Sequence, residues 1–266
     1  MMRDITLGQY YPVQSPVHKL DPRTKLFGTL VLIAALFVAD NLFCYILAAV
    51  FLFGTIRLSK VPVKHIVKGL KPVIFLLLFS VVFNLFLTSG EVLVRFWVFK
   101  ITREGLLRSG MMAVRLIFLV MGTSLLTFTT TPNQLTDGLE RSLRFLRVVR
   151  VPVHEIAMMM SIALRFIPIL VEETDKIMKA QMARGADFES GGLIKKAKAM
   201  IPLLVPLFIS AFRRASDLAM AMEARCYHGG EGRTKMKPLR YAARDRAAYL
   251  VLLGFLACII LLKIFL

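Results

Sequence analysis

Apolar residues fill three long blocks in the first half of the chain. The first runs from Leu26 to Ile56 and is interrupted at Asp40-Asn41. As a single helix it would extend about 46 Å at ~1.5 Å per residue, far beyond a hydrocarbon core of about 30 Å. Lys19, Arg23 and Lys25 precede the block, and Arg57, Lys60, Lys64, Lys68 and Lys71 follow it. Two short spans turning at Asp40-Asn41 keep both basic clusters on the cytoplasmic side. Asp21-Pro22 suits the start of the first, with Asp as N-cap and Pro at the first helical position. A third span is expected from about Pro72 to Ser89 and a fourth from about Met111 to Thr130. Between them, Val92, Val94, Phe96 and Val98 alternate loosely with other residues, predicting an external loop with strand character.

After the fourth span the pattern changes. Thr131-Pro132-Asn133-Gln134 reads as a capping box opening an amphipathic helix. Leu135, Leu139, Leu143 and Leu146 share one face of it, and Arg141, Arg144 and Arg147 point largely away. From Pro132 to Arg246 no apolar run of spanning length is unbroken: Arg165 and Pro168 interrupt residues 156–171, and Pro202 and Pro206 interrupt 200–212. Long cytoplasmic or interfacial helices with one apolar side are therefore expected there. A fifth span runs from about Ala247 to Leu262. The predicted fold is an all-α integral membrane protein with about five transmembrane helices and the N-terminus inside. Residues 1–131 hold four of them, 132–246 form a large cytoplasmic region, and 247–266 carry the last.

Composition agrees with a membrane protein. Hydrophobic residues make up 57% of the 266 positions, and the mean hydropathy is +0.66. The net charge of +18 would suggest nucleic acid in a soluble protein. Here the expected cytoplasmic segments 1–25, 57–71 and 132–246 hold most of the Lys and Arg, so the positive-inside rule explains the excess and no nucleic-acid partner is expected. Arg115 and Lys263, near helix ends, are expected to snorkel. Residues 1–19 lack the apolar core of a cleavable leader. Cys44, Cys226 and Cys258 form neither a disulfide framework nor a zinc spacing.

Candidate chemistry is sparse. There is no G-x-x-x-x-G-K-[ST] loop, so nucleotide hydrolysis is not expected on this chain. The spans carry few acids, which disfavours a proton-coupled carrier, and Asn84 is expected to bond between helices. The four histidines are scattered, and no metal site is expected. What stands out is a repeated word. Ala183-Arg184-Gly185 recurs as Ala224-Arg225-Cys226, with the arginines 41 positions apart. Either copy alone is an ordinary helix end, because Gly takes the left-handed cap position and Arg suits the helix dipole. Cys226 is a poorer left-handed residue than Gly, so capping alone does not explain the recurrence, and the second ending need not be built like the first. Small residues beside each arginine leave room for a partner to close over the guanidinium.

These residues give the chain a family resemblance. Leu20-Asp21-Pro22-Arg23-Thr24-Lys25, Thr136-Asp137-Gly138-Leu139, Arg165-Phe166-Ile167-Pro168 and the two Ala-Arg-small words resemble the transmembrane T-component, EcfT, of energy-coupling factor transporters. These belong to the ABC superfamily and import vitamins and transition-metal ions across prokaryotic plasma membranes. The resemblance implies a non-catalytic scaffold that couples two P-loop ATPase subunits, which would hold ATP and Mg, to a small membrane S-component. No cofactor is implied on this chain. It also implies that Ala183, Arg184 and Gly185 cap one coupling helix, and Ala224, Arg225 and Cys226 another, each docking on one ATPase. Cys226 departs from the Gly more usual there.

Methionines cluster in the same region, and Met usually fills core gaps. A pliable surface for an S-component is the functional alternative, with Met200, Ala219, Met220 and Met222 as candidate contacts. The rival to the whole assignment is a stand-alone secondary transporter or channel. Such a protein needs a midplane substrate site, and the spans are plain. A membrane-bound enzyme acting on anionic lipids would need clustered catalytic groups, and none is apparent.

Overall fold

The computed structural model describes residues 9–88, 91–96, 99–188, 192–230, 234, 236 and 238–265. Its helices are α1 (Pro22–Val38), α2 (Leu42–Ser59), α3 (Val63–Lys68), α4 (Ile74–Leu87), α5 (Arg103–Thr129), α6 (Pro132–Ser142), α7 (Val153–Ala183), α8 (Leu193–Ala224) and α9 (Ala243–Phe265). Strands β1 (Val92–Phe96) and β2 (Phe99–Thr102) form an antiparallel hairpin. Among the described residues, five helical stretches are long and apolar enough to cross a membrane: Leu42–Ser59, Val63–Leu87, Arg103–Thr129, Val153–Ala183 and Ala243–Phe265.

The protein is thus an all-α membrane protein with five long apolar helices, although the set differs from the expected one. Helix α1, at 17 residues, rises only about 26 Å. Helix α7 continues unbroken through Pro168, and α8 through Pro202 and Pro206. A single proline removes one backbone hydrogen bond, and a helix of more than thirty residues has enough others to absorb the loss.

The chain divides into two compact units. One comprises Gly8–Gly138 with Leu239–Leu266, and the other contains Leu139–Pro238.

In the first unit, α1, α2, α5 and α9 share a core built on Leu36, Leu52, Met121, Leu125, Phe255 and Ile259. Gly122 permits the close approach of α1, since a Cβ there would overlap Leu32 Cδ2. Helix α4 lies on α5 and buries none of its side chains, although nearly all are apolar. A water-facing helix of that composition would be unstable, whereas lipid accepts it.

The start of α1 forms as expected. The Asp21 carboxylate accepts from the Arg23 amide at 3.0 Å. Asp245, buried at the start of α9, accepts from the Asp21 amide at 2.8 Å, Thr24 Oγ1 at 3.1 Å and the Ala242 amide at 2.8 Å. Lys25 Nζ donates to Thr129 O at 2.8 Å, at the end of α5, and to His18 O at 3.0 Å. Gly138 packs directly on Pro22. The sequence pieces 20–25 and 136–139 therefore meet each other.

Several local expectations are revised. Helix α5 begins at Arg103, eight residues before Met111, because Thr102 caps it: Thr102 Oγ1 accepts from the Gly105 amide at 3.1 Å, with Glu104 in the first turn. The loop between the third and fourth spans is correspondingly short, and Val98 lies outside the described residues. The capping box is present, with Gln134 N to Thr131 Oγ1 at 3.3 Å and Thr131 N to Gln134 Oε1 at 3.2 Å. Helix α6 nevertheless ends at Ser142, and Leu143–Val149 winds as a 3₁₀ helix. Its tighter period takes Leu143 and Leu146 off the face of Leu135 and Leu139. Arg115 and Lys263 do not snorkel freely. Arg115 Nη2 donates to Ala39 O at 2.8 Å and its Nε to Tyr45 Oη at 3.0 Å, while Lys263 Nζ meets Asp40 at 2.8 Å. Both hold the Asp40 turn. Asn84 Nδ2 donates to Met112 Sδ at 3.0 Å, joining α4 to α5.

Candidate functional site

Helices α7 and α8 end in the same way. After α7, the Gly185 amide donates to Met182 O at 2.9 Å and the Ala186 amide to Gln181 O at 3.0 Å. After α8, the Cys226 amide donates to Glu223 O at 2.8 Å and the Tyr227 amide to Met222 O at 3.0 Å. Each is a Schellman ending, which satisfies carbonyls that would otherwise lack partners. The left-handed residue is Gly185 in one, at φ 89°, and Cys226 in the other, at φ 54°.

The second ending, which Cys226 left open in the sequence, is therefore built like the first. A non-glycine left-handed residue costs roughly 1–2 kcal/mol, and two closing hydrogen bonds together with an open surface tolerate that cost.

All six residues of the two words, Ala183, Arg184, Gly185, Ala224, Arg225 and Cys226, are exposed. Neither guanidinium forms a hydrogen bond or ion pair with another described residue. Each arginine occupies the C-cap position, where its charge faces the negative end of its helix dipole.

The two helices are joined at matching points. Arg214 Nη2 and Nε reach Glu173 Oε2 at 2.6 and 3.1 Å, and Ser210 Oγ donates to Glu173 Oε1 at 2.6 Å. Glu173 lies 184 − 173 = 11 residues before Arg184, and Arg214 lies 225 − 214 = 11 before Arg225. At ~1.5 Å per residue each arginine ends an arm of about 16 Å beyond the tie. The 41-residue spacing of the words is thus also the spacing of the two side chains that fasten the helices together.

Helix α8 also presents a ridge that the methionine pattern did not single out. Leu204, Val205, Phe208, Ile209 and Phe212 stand exposed, between 52% and 67%, and line a shallow apolar depression. Their four-residue spacing was legible in the sequence, but the prolines around them obscured the helix. Of the methionine candidates, Met200, Ala219 and Met220 are exposed and Met222 is half-buried. A second feature missed from sequence lies behind the Arg225 ending. Gly230 rests on the His154 ring so closely that a Cβ would overlap its Cδ2, and His154 Nδ1 meets Glu140 Oε1 at 2.8 Å.

Residues 13–236 match the cobalt transport protein family, CbiQ. Over 265 residues the chain is 55% identical to the energy-coupling factor transporter transmembrane protein EcfT of Clostridium kluyveri, an alignment covering 99% of this chain and 98% of that protein. The chain belongs to the EcfT family of energy-coupling factor transporter transmembrane proteins. The EcfT protein of Thermosediminibacter oceani is 54% identical over 249 residues, 94% of each chain. That of Bacillus subtilis is 46% identical over 264 residues, 99% of this chain and 100% of the other. Matches of this extent cover the chain from α1 through α9.

Proposed function

We propose that this chain is the non-catalytic coupling scaffold of an energy-coupling factor importer for a vitamin or transition-metal ion. Arg184 and Arg225 each anchor one helix end to one of two P-loop ATPase subunits, which bind ATP and Mg. The apolar ridge of α8, with Met200, Ala219, Met220 and Met222 around it, receives the substrate-binding S-component. Residues 132–246 then form the cytoplasmic coupling region, in which α7, although long and apolar enough to cross a membrane, lies as an interfacial helix, and α1, α2, α4, α5 and α9 hold it in the prokaryotic plasma membrane.

The observation that carries this reading is the matched pair of exposed arginine endings on helices fastened at equivalent positions. Two equal arms joined by an ion pair transmit a displacement applied at their ends, because rigid helices pass motion between interfaces as discrete shifts. An exposed guanidinium suits a carboxylate or carbonyl-lined groove on a partner.

The test is a pull-down in mild detergent of the unaltered chain and of Arg184→Glu with Arg225→Glu. Two ATPases and at least one small membrane protein are expected with the former. The double variant is expected to insert in the membrane and lose the ATPases, since breaking a docked charge pair costs about 2–5 kcal/mol. Unchanged ATPase recovery with the double variant would sink the assignment.

A further inference from the structure

Residues 141–150 carry four arginines and no acid, and no further acid appears before Glu155. The one acid directly before them, Glu140, faces His154. Within this stretch the 3₁₀ helix Leu143–Val149 turns its apolar side chains outward: Phe145 is 67% exposed, Val148 89% and Val149 72%. Arg144 and Arg150 are exposed beside them, and neither pairs with another described residue. Arg150 takes a left-handed conformation at φ 60°, which turns the chain toward α7.

Neither water nor the bilayer interior suits this segment. Water leaves three large apolar side chains unburied, and hydrocarbon charges heavily for guanidinium groups. The boundary between them accepts both, because apolar side chains enter the headgroup layer while arginines meet lipid phosphates. The bilayer is also within reach along the chain. Helix α5, apolar enough to cross a membrane, ends at Thr129, and α6 accounts for 11 of the residues before Leu143. That helix spans about 16 Å.

We infer that residues 141–150 form an interfacial foot that binds the anionic phospholipid headgroups of the bilayer in which the chain sits. Phe145, Val148 and Val149 enter the headgroup layer, and Arg141, Arg144 and Arg150 pair with phosphates. The uniform sign of the charge, with no acid among residues 141–150, suits a diffuse anionic surface, to which each arginine adds attraction. This role is separate from ATPase docking, and its test uses the chain without partners, so failure of one leaves the other standing.

Trp97 is the single tryptophan, so Trp97→Phe combined with Val148→Trp places the only such fluorophore in the foot. The purified full chain is reconstituted in vesicles of neutral phosphatidylcholine, or of equal parts phosphatidylcholine and phosphatidylglycerol. In the anionic vesicles the tryptophan at position 148 is expected to be quenched by acyl-brominated lipid and shielded several-fold from aqueous acrylamide. Adding Arg144→Glu and Arg150→Glu should abolish the shielding. Equal acrylamide quenching in both vesicles overturns the proposal, as does shielding that ignores the charge reversals or appears only when partner proteins are added. Hydrogen–deuterium exchange of the unaltered chain checks the same point without substitutions. Exchange over residues 143–150 should slow several-fold with anionic lipid, and unchanged exchange refutes the foot.

Discussion

Gly185 and Cys226 hold the same left-handed position, one residue past the C-caps of α7 and α8, at φ 89° and 54°. One of these residues occupies that region freely and the other at a cost, yet the hydrogen bonds around them match bond for bond. Cys226→Gly is accordingly expected to stabilise the chain by about 1 kcal/mol while leaving ATPase recovery intact. Gly185→Val should destabilise it by about 1–2 kcal/mol and weaken recovery, because a β-branched residue resists φ above zero. Thermal unfolding in detergent and the pull-down read the two effects separately.

The tie between Glu173 and Arg214 makes a prediction about motion more than about stability. The pair is partly exposed, so Glu173→Arg should cost little folding free energy. ATP-driven uptake by the reconstituted complex should nevertheless fall several-fold, since the two arms are no longer fastened. Adding Arg214→Glu restores an ion pair of reversed polarity and should recover uptake. If the single variant retains full uptake, α7 and α8 do not act as a joined pair.

Packing of α1 on α5 depends on the missing side chain at Gly122. Gly122→Ile should lower stability by about 1–3 kcal/mol through overpacking against Leu32 and Leu52. Gly54→Ala is the control, because nothing stands within 4 Å of its added Cβ, and it should leave the melting midpoint unchanged or slightly higher. A large loss from both would point to a general intolerance of glycine replacement and not to the α1–α5 contact.

Buried polar contacts near the N-terminus add a pH dependence. His18 Nδ1 lies 2.7 Å from Ser15 Oγ and its Nε2 3.1 Å from Tyr11 O. Burial, followed by the charge of Lys25, pushes the imidazole below its usual value of 6.5. A depressed folded value means that the stability this group contributes is present above pH 6.5 and is lost as the pH falls further. Melting midpoints should therefore decline below that pH, and His18→Gln should flatten the decline. An identical profile in the variant would assign the acid sensitivity elsewhere.

Much of the architecture was legible because lipid imposes a strict local rule: a helix that meets hydrocarbon must be apolar along its length. The turn at Asp40-Asn41, the N-cap at Asp21 and the capping box at Thr131 were likewise visible, since each depends on side chains a few residues apart. The repeated arginine words were visible for the same reason. Proline misled at positions 168, 202 and 206, where local preference loses to the accumulated hydrogen bonds of a long helix.

By itself the sequence determined the membrane class, four of the five long apolar helices, the repetition of the arginine word and the family, because these follow from composition and short-range order. Only the tertiary structure decided that Glu173 meets Arg214 at matching distances from those words, that Asp245 secures Asp21 and Thr24, and that Cys226 accepts a left-handed conformation. The first two depend on which distant surfaces come together, and the third on hydrogen bonds strong enough to outweigh a residue's own preference.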